Sequence, residues 1–257
     1  MTSATPSPRS SAVRTRIFAL CGAGLIIATW LYLVIVRPVD WESVGASTPA
    51  LITLVGYVGG ALLLIASALP SISSRALVLI PIALALNIVI GEIIGKSGIP
   101  LYLDSVGTVL VAVLAGPAAG MATGALSSVV WGLLNPAALP FAAGSAFIGW
   151  AAGWIKDRGW MSALWQAVVS GAVVGLVAGA IAAPVAAFVY GGTAGVGTGF
   201  LVSAFREIGA SLLQSVTLQS FVSDPLDKAL VFALVYLCVS RLPRSVVTPR
   251  KTNDSRA

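Results

Sequence analysis

Six charged side chains stand where an apolar chain has least reason to keep them: Glu92, Asp104, Arg206, Glu207, Asp224 and Lys228. On translocation-based scales a charge at the centre of a membrane helix costs about 2.5–3.5 kcal/mol, so each needs a partner, a polar cavity or a ligand. The chemistry on offer is recognition. Carboxylates accept hydrogen bonds from amines and hydroxyls, and a guanidinium and an ammonium take anions. Tyr102, Trp131 and Asn135 add stacking and hydrogen-bonding groups nearby in the chain. Catalysis has little to work with. The 257 residues contain no histidine, so imidazole chemistry and histidine metal sites are excluded. There is no Gly-x-Ser-x-Gly elbow, no His-Glu-x-x-His and no Cys-x-x-Cys. Gly91-Glu92-Ile93-Ile94-Gly95-Lys96-Ser97 looks like a phosphate loop, but its glycines are too close together and position 90 is Ile. It also closes an apolar run, where a phosphate loop opens a helix after a strand. The expectation is therefore no catalytic residue, no metal, no cofactor and no ATPase site, with any ATP-driven action powered by another protein.

The elements that must position these residues are membrane helices. The chain is 58% hydrophobic and only 9% charged, against about a quarter charged in soluble domains, and its mean hydropathy is +0.98. About 20 apolar residues are needed to cross the hydrocarbon layer. Such runs occur at Ile17–Val36, Leu51–Leu69, Ala76–Gly95, Ser105–Ala115, Pro117–Leu134, Phe141–Ile155, Met161–Phe188, Gly199–Phe221 and Asp224–Ser240. If all but Gly199–Phe221 cross, the eight spans leave both termini in the cytoplasm. Arg9, Arg14, Arg16, Arg75, Lys156, Arg158, Arg241, Arg244, Arg250, Lys251 and Arg256 then lie inside, 11 of the 15 basic residues. A ninth crossing would carry the Arg241–Arg256 cluster outside, against the positive-inside rule. Gly199–Phe221 is therefore expected to be re-entrant or a lid.

The acidic residues divide the other way. Asp40, Glu42, Glu92, Asp104, Glu207, Asp224 and Asp227 map outside, seven of nine. Acidic residues hardly affect orientation, so their clustering points to a polar pocket open to the outside. The net charge of +6 is a topology signal and not a footprint for nucleic acid.

Four segments follow: a disordered basic tail at 1–16, a two-helix hairpin at 17–75, a helical domain at 76–242 and a basic tail at 243–257. The breaker-rich Pro70–Arg75 turn marks the boundary after the hairpin. No internal repeat is evident. Cys21 and Cys238 lie inside apolar runs and are expected to pack there unbridged. Gly116, Gly120 and Gly124, then Gly149 and Gly153, then Gly171, Gly175, Gly179 and Ala183 recur at four-residue spacing. Such ladders let helix backbones approach closely, either within one bundle or against a separate subunit.

Each site residue has two readings. Glu92 lies near the outer end of its helix, where it snorkels or meets a ligand. Asp104 either caps the helix that follows or binds. Tyr102 and Trp131 are interface aromatics or pocket walls, and Asn135 closes the same helix as Trp131. Asp224, Pro225 and Asp227 carry a helix-start signature of cap, proline and first-turn acid. Lys228 opposes the dipole of such a helix, so it pairs with an acid or faces an anionic group. Arg206 and Glu207 belong either to a lid swinging on Gly191, Gly192, Gly195, Gly197 and Gly199 or to an internal turn. Gln214 and Gln219 add hydrogen-bonding capacity.

A series of short motifs adds to this. Pro100-Leu101-Tyr102-Leu103-Asp104-Ser105-Val106-Gly107-Thr108, Ala115-Gly116-Pro117-Ala118-Ala119-Gly120, Asn135-Pro136 and Asp224-Pro225-Leu226-Asp227-Lys228 occur in this order among six apolar runs. Over about residues 76–242 the chain resembles the substrate-binding S components of bacterial energy-coupling factor (ECF) vitamin transporters. The resemblance implies an all-α polytopic membrane protein, a six-helix bundle here preceded by the N-terminal hairpin. It implies capture of a vitamin or similar micronutrient from outside by a multi-pass protein of the bacterial cell membrane. The partners it implies are a transmembrane T component and a pair of cytoplasmic ATPases, with the lipid bilayer as surroundings and no nucleic acid. The face for the T component would be the stripe Ala83, Asn87, Gly91, continuing to Gly95. Two other classes stay open. A membrane sensor or scaffold would need a signalling domain, for which the tail after Ser240 is too short. A stand-alone secondary transporter would show gradient-driven uptake by this chain alone.

Overall fold

Inside a bilayer no water takes up backbone N–H and C=O groups, so long apolar runs close their hydrogen bonds within helices. The computed structural model describes residues 8–38, 47–189, 191–192 and 195–242, and among them there is no strand. The helices are α1 (Pro8–Val36), α2 (Thr48–Ala68), α3 (Ser74–Gly95), α4 (Val106–Ala115), α5 (Pro117–Leu134), α6 (Ala142–Asp157), α7 (Leu164–Val189), α8 (Val196–Glu207) and α9 (Leu212–Ser240). A 3-10 turn, Pro136–Phe141, joins α5 to α6. Side-chain caps fix several starts: Ser47 accepts from the Ala50 N–H, Ser73 from Ala76, and Ser211 forms a reciprocal capping box with Gln214.

The protein is an all-helical, multi-pass membrane protein by the length and composition of its helices. Six segments are long and apolar enough to cross: Ala12–Val36, Thr48–Ala68, Ala76–Gly95, Pro117–Leu134, Pro136–Asp157 and Leu164–Val189. Of the other two expected spans, α4 has 10 residues, about 15 Å or half the hydrocarbon layer. The last span, expected at Asp224–Ser240, is the second half of the 29-residue α9. That helix has the length to cross but carries Asp224, Asp227 and Lys228.

Three expectations are corrected here. Asp224, Pro225 and Asp227 do not start a helix; Pro225 lies inside α9, whose start is the Ser211 capping box. Proline within a helix removes one backbone bond, and the backbone of α7 passes closely here because Gly175 stands opposite. Gly199–Phe221 is accordingly not one segment. It divides between α8 and the first turns of α9, at a break where Gly209 has φ 93, a left-handed conformation natural to glycine. Cys21 and Cys238 are unbridged, but both are exposed on helix surfaces and do not pack inside the bundle. In addition, α1 begins at Pro8, within the stretch expected to be a tail. Asp40, Glu42 and the 243–257 tail lie outside the described residues.

The glycine ladders pack within the bundle. A Cβ on Gly171 would run into the Lys228 carbonyl, one on Gly175 into the Asp224 carbonyl, and one on Gly179 into Ser220 and the Asp224 carboxylate. α7 and α9 therefore lie antiparallel with their backbones in close approach. Gly120 and Gly124 meet Gly149 and Ser145 in the same way, joining α5 to α6. The hairpin packs into the same core. Leu33, Tyr57 and Leu64 are buried with Ala122, Leu139 and Val185. The Trp30 indole donates to the Ile181 carbonyl at 3.0 Å, and Tyr57 donates to the Pro140 carbonyl at 3.3 Å. The opposite helix faces carry exposed Val78, Ile82, Val89 and Ile93 on α3 and Val173 and Val177 on α7. An apolar coat of this kind suits lipid.

Candidate binding site

The stripe proposed for docking, Ala83, Asn87, Gly91 and Gly95, faces inward. Ala83 is 3% exposed and its backbone lies against Gly107, while Gly91 meets Trp131 and Gly95 meets Tyr102. Asn87 is fully buried. Its amide donates to Thr108 Oγ1 at 2.8 Å and Ser127 Oγ at 3.1 Å, and its oxygen accepts from the Gly107 N–H at 2.7 Å. This junction ties α3 to α4 and α5. The stripe is thus occupied by the chain itself and offers no surface to a partner, because small residues and a polar hub satisfy one another there.

Above it, at the end of the bundle remote from Lys156, Arg158 and Arg241, lies a cavity of ≈ 200 Å³. Seven of the nine expected site residues line it: Glu92, Tyr102, Asp104, Trp131, Asn135, Asp224 and Lys228. Phe141, Ile148, Ala178 and Ala182 supply apolar surface.

One wall is built on α3 and α5. Glu92 Oε1 accepts from Trp131 Nε1 at 2.7 Å and from Asn135 Nδ2 at 3.3 Å, and Glu92 Oε2 pairs with Lys96 one turn on. The Asn135 oxygen meanwhile caps the 3-10 turn at the Ala137 N–H, 3.2 Å away. Trp131 is therefore a held wall of the cavity and not a free belt residue.

The other wall is α9 with the 96–105 loop folded onto it. Lys228 is 6% exposed and donates to Asp104 Oδ1 at 2.9 Å and to Asp227 Oδ2. The other Asp227 oxygen accepts from the backbone N–H groups of Tyr102 at 2.8 Å and Leu103 at 2.7 Å. Leu103 has φ 51, a conformation that costs a branched residue on the order of 1–3 kcal/mol and persists only when its surroundings hold it. Asp227 does the holding. The capping alternative for Asp104 falls away, since Ser105 precedes α4 and Asp104 turns to Lys228. Tyr102 lies 3.1 Å from Thr198 Oγ1 at the start of α8. Burial pushes its phenol above the usual range, and the hydroxyl stays protonated.

Asp224 stands apart. The ion pairs among the described residues engage Glu92, Asp104, Asp157 and Asp227 but leave Asp224 without a cation within 4.0 Å. Its hydrogen bond is to Ser220, and Lys228 acts on it from farther away. Gln219 also lines the cavity; it is 3% exposed, and its side chain makes no hydrogen bond to a described residue.

Arg206 and Glu207 are the two expectations that miss. Both are exposed at the end of α8 and neither reaches the cavity. Only the start of that helix covers it, through Gly195 and Val196. Sequence reasoning left Ser220 out and gave Gln219 only a passing role. The signal was present: Ser220, Asp224 and Lys228 recur every four residues and share a face once α9 is continuous. Among the described residues, no three acidic side chains are arranged to hold a metal ion. Compared with known proteins, the chain matches no family model, no curated protein and no solved structure.

Proposed function

We propose that this chain is the substrate-capturing S component of an ECF-type transporter in a bacterial cell membrane. It takes a vitamin or similar small nutrient from outside and passes it on through a T component driven by two separate cytoplasmic ATPases. The observation that carries this reading is the cavity at one end of a membrane bundle, lined by buried polar groups and by the motif residues Tyr102, Asp104, Asp224 and Lys228. The distribution of basic residues supports placing that end outside. The chain itself transforms nothing; it selects, because a ligand that leaves a buried polar group unpaired loses about 1–3 kcal/mol for each. Docking on the Ala83 stripe is not part of the proposal, since that stripe is internal.

The test is assembly together with binding. The tagged chain, co-expressed with a T component and an ATPase pair, is expected to co-purify with them and to retain a vitamin visible by native mass spectrometry. Neither assembly nor retention of any vitamin from a broad panel would sink the reading. Uptake into liposomes by this chain alone, driven by an ion gradient, would replace it with a secondary transporter.

A further inference from the structure

The acids of the cavity are unequally partnered, and the inequality is local. On the α3 wall, Glu92 is matched by Lys96. On the α9 wall, Lys228 alone faces three carboxylates: Asp104 and Asp227 at hydrogen-bonding distance, and Asp224 farther off. With its ammonium taken by Asp104 and Asp227, Lys228 leaves Asp224 without an ion-pair partner among the described residues. A buried charge is costly unless it is paired. Among the described residues Asp224 lines the cavity with no cation within 4.0 Å, and Gln219, five residues earlier in α9, also lines it, 3% exposed and without a hydrogen-bonding partner among those residues. Across the cavity the Trp131 ring is fixed through its N–H to Glu92, and an aromatic face attracts a cation within about 6 Å.

We propose that the ligand is a small organic cation, a compound whose protonated or quaternary nitrogen pairs with Asp224 while its body lies against Trp131. An organic cation fits better than a metal ion, because no three acidic groups among the described residues are placed to hold one and the ammonium of Lys228 already occupies the point between Asp104 and Asp227. At ≈ 200 Å³ the cavity is smaller than the roughly 300–1,000 Å³ of pockets for drug-sized ligands. The fit is to one ring or two with short substituents. Gln219 supplies a hydrogen bond to a polar substituent beside the charged nitrogen. This assignment rests on the capture reading above for the ligand's route, and on the cavity alone for its charge.

The experiment uses the full chain in lipid nanodiscs, equilibrated with an equimolar mixture of cations (thiamine, 1-methylnicotinamide), neutral compounds (riboflavin, nicotinamide) and anions (biotin, pantothenate, nicotinate). Bound species are read by native mass spectrometry, and each is then titrated against wild type, Asp224→Asn and Gln219→Leu. The expected result is retention of one or more cations in preference to all neutral and anionic compounds. Asp224→Asn should weaken the best cation about 10- to 100-fold, the loss of one charge-assisted contact. Gln219→Leu should weaken it about 2- to 10-fold and leave the preference for cations intact. A neutral or anionic compound held more tightly than every cation overturns the proposal while the capture reading stands. So does a cation held equally by Asp224→Asn. Retention of nothing by wild type overturns both. If Asp224→Asn does not fold, the wild-type ranking of cations against the rest decides alone.

Discussion

Glu92 on one wall of the cavity and Asp224 on the other are carboxylates held in different ways. Glu92 has both oxygens engaged, one by Trp131 and Asn135 and the other by Lys96. Its wall is a closed unit, in which the acid organises an aromatic ring and a turn. Asp224 is engaged mainly by Ser220, while its neighbours Asp104 and Asp227 take the ammonium of Lys228. One acid builds the wall and the other has no cation beside it among the described residues. Like functional groups in one cavity are therefore held differently, according to how many donors surround each.

Perturbations can break this contrast, and the largest effect is expected at Lys228. Lys228→Met leaves Asp104 and Asp227 without their buried counter-charge, a change that typically costs about 3–5 kcal/mol. Thermal unfolding in detergent should show a large loss of stability, and an unchanged midpoint would mean that the α9 wall is not held by this ion. Asp227→Ala comes next. It removes the acceptor for the Tyr102 and Leu103 N–H groups, each bond to a charged group being worth about 1.5–3 kcal/mol. Hydrogen exchange at those two amides should accelerate while the α5 amides around Trp131 keep their protection; equal acceleration on both walls would erase the distinction between them. Glu92→Gln is a smaller change. The glutamine oxygen still accepts from Trp131, and the loss is mainly an exposed pair with Lys96, about 0–1 kcal/mol. A drop as large as that of Lys228→Met would show the α3 wall to depend on charge as well. Arg206→Ala should be the weakest of all, within about 0.5 kcal/mol in stability and without effect on ligand affinity. A tenfold loss of binding would return the end of α8 to the site.

Most of the site was legible because membrane burial penalises every unneeded charge. In an apolar chain, Glu92, Asp104, Asp224 and Lys228 announce a polar cavity by being present at all. Arg206 and Glu207 carry the same signal for a different reason: they end a short helix whose polar end is exposed, and periodicity over 12 residues is too brief to separate the two cases. Asp224-Pro225-Asp227 satisfies the local rules of cap, proline and first-turn acid for a helix N-terminus, yet it lies inside α9. The true start, Ser211 with Gln214 three residues later, satisfies an equally local rule. Tertiary packing against Gly175 chose between them. The ladders were legible as close-packing faces but not as to their neighbours, since spacing names a face and not its partner. From sequence Asn87 reads as one member of a docking stripe; only the positions of Thr108, Ser127 and Gly107 show it to be the polar junction of three helices.

The seam between α7 and α9 has a further consequence. Its three glycines stand opposite Lys228, Asp224 and Ser220 in turn, so the seam works as a vernier that sets the depth of each polar group. A slip of α9 by one notch, four residues or about 6 Å, would bring Lys228 to the level now held by Asp224. Asp224 would move to the level of Ser220, and the polar groups would be reordered in depth without a single change of sequence. The depth of each polar group is thus written in the alignment of two helices, and the glycines are the teeth that fix it.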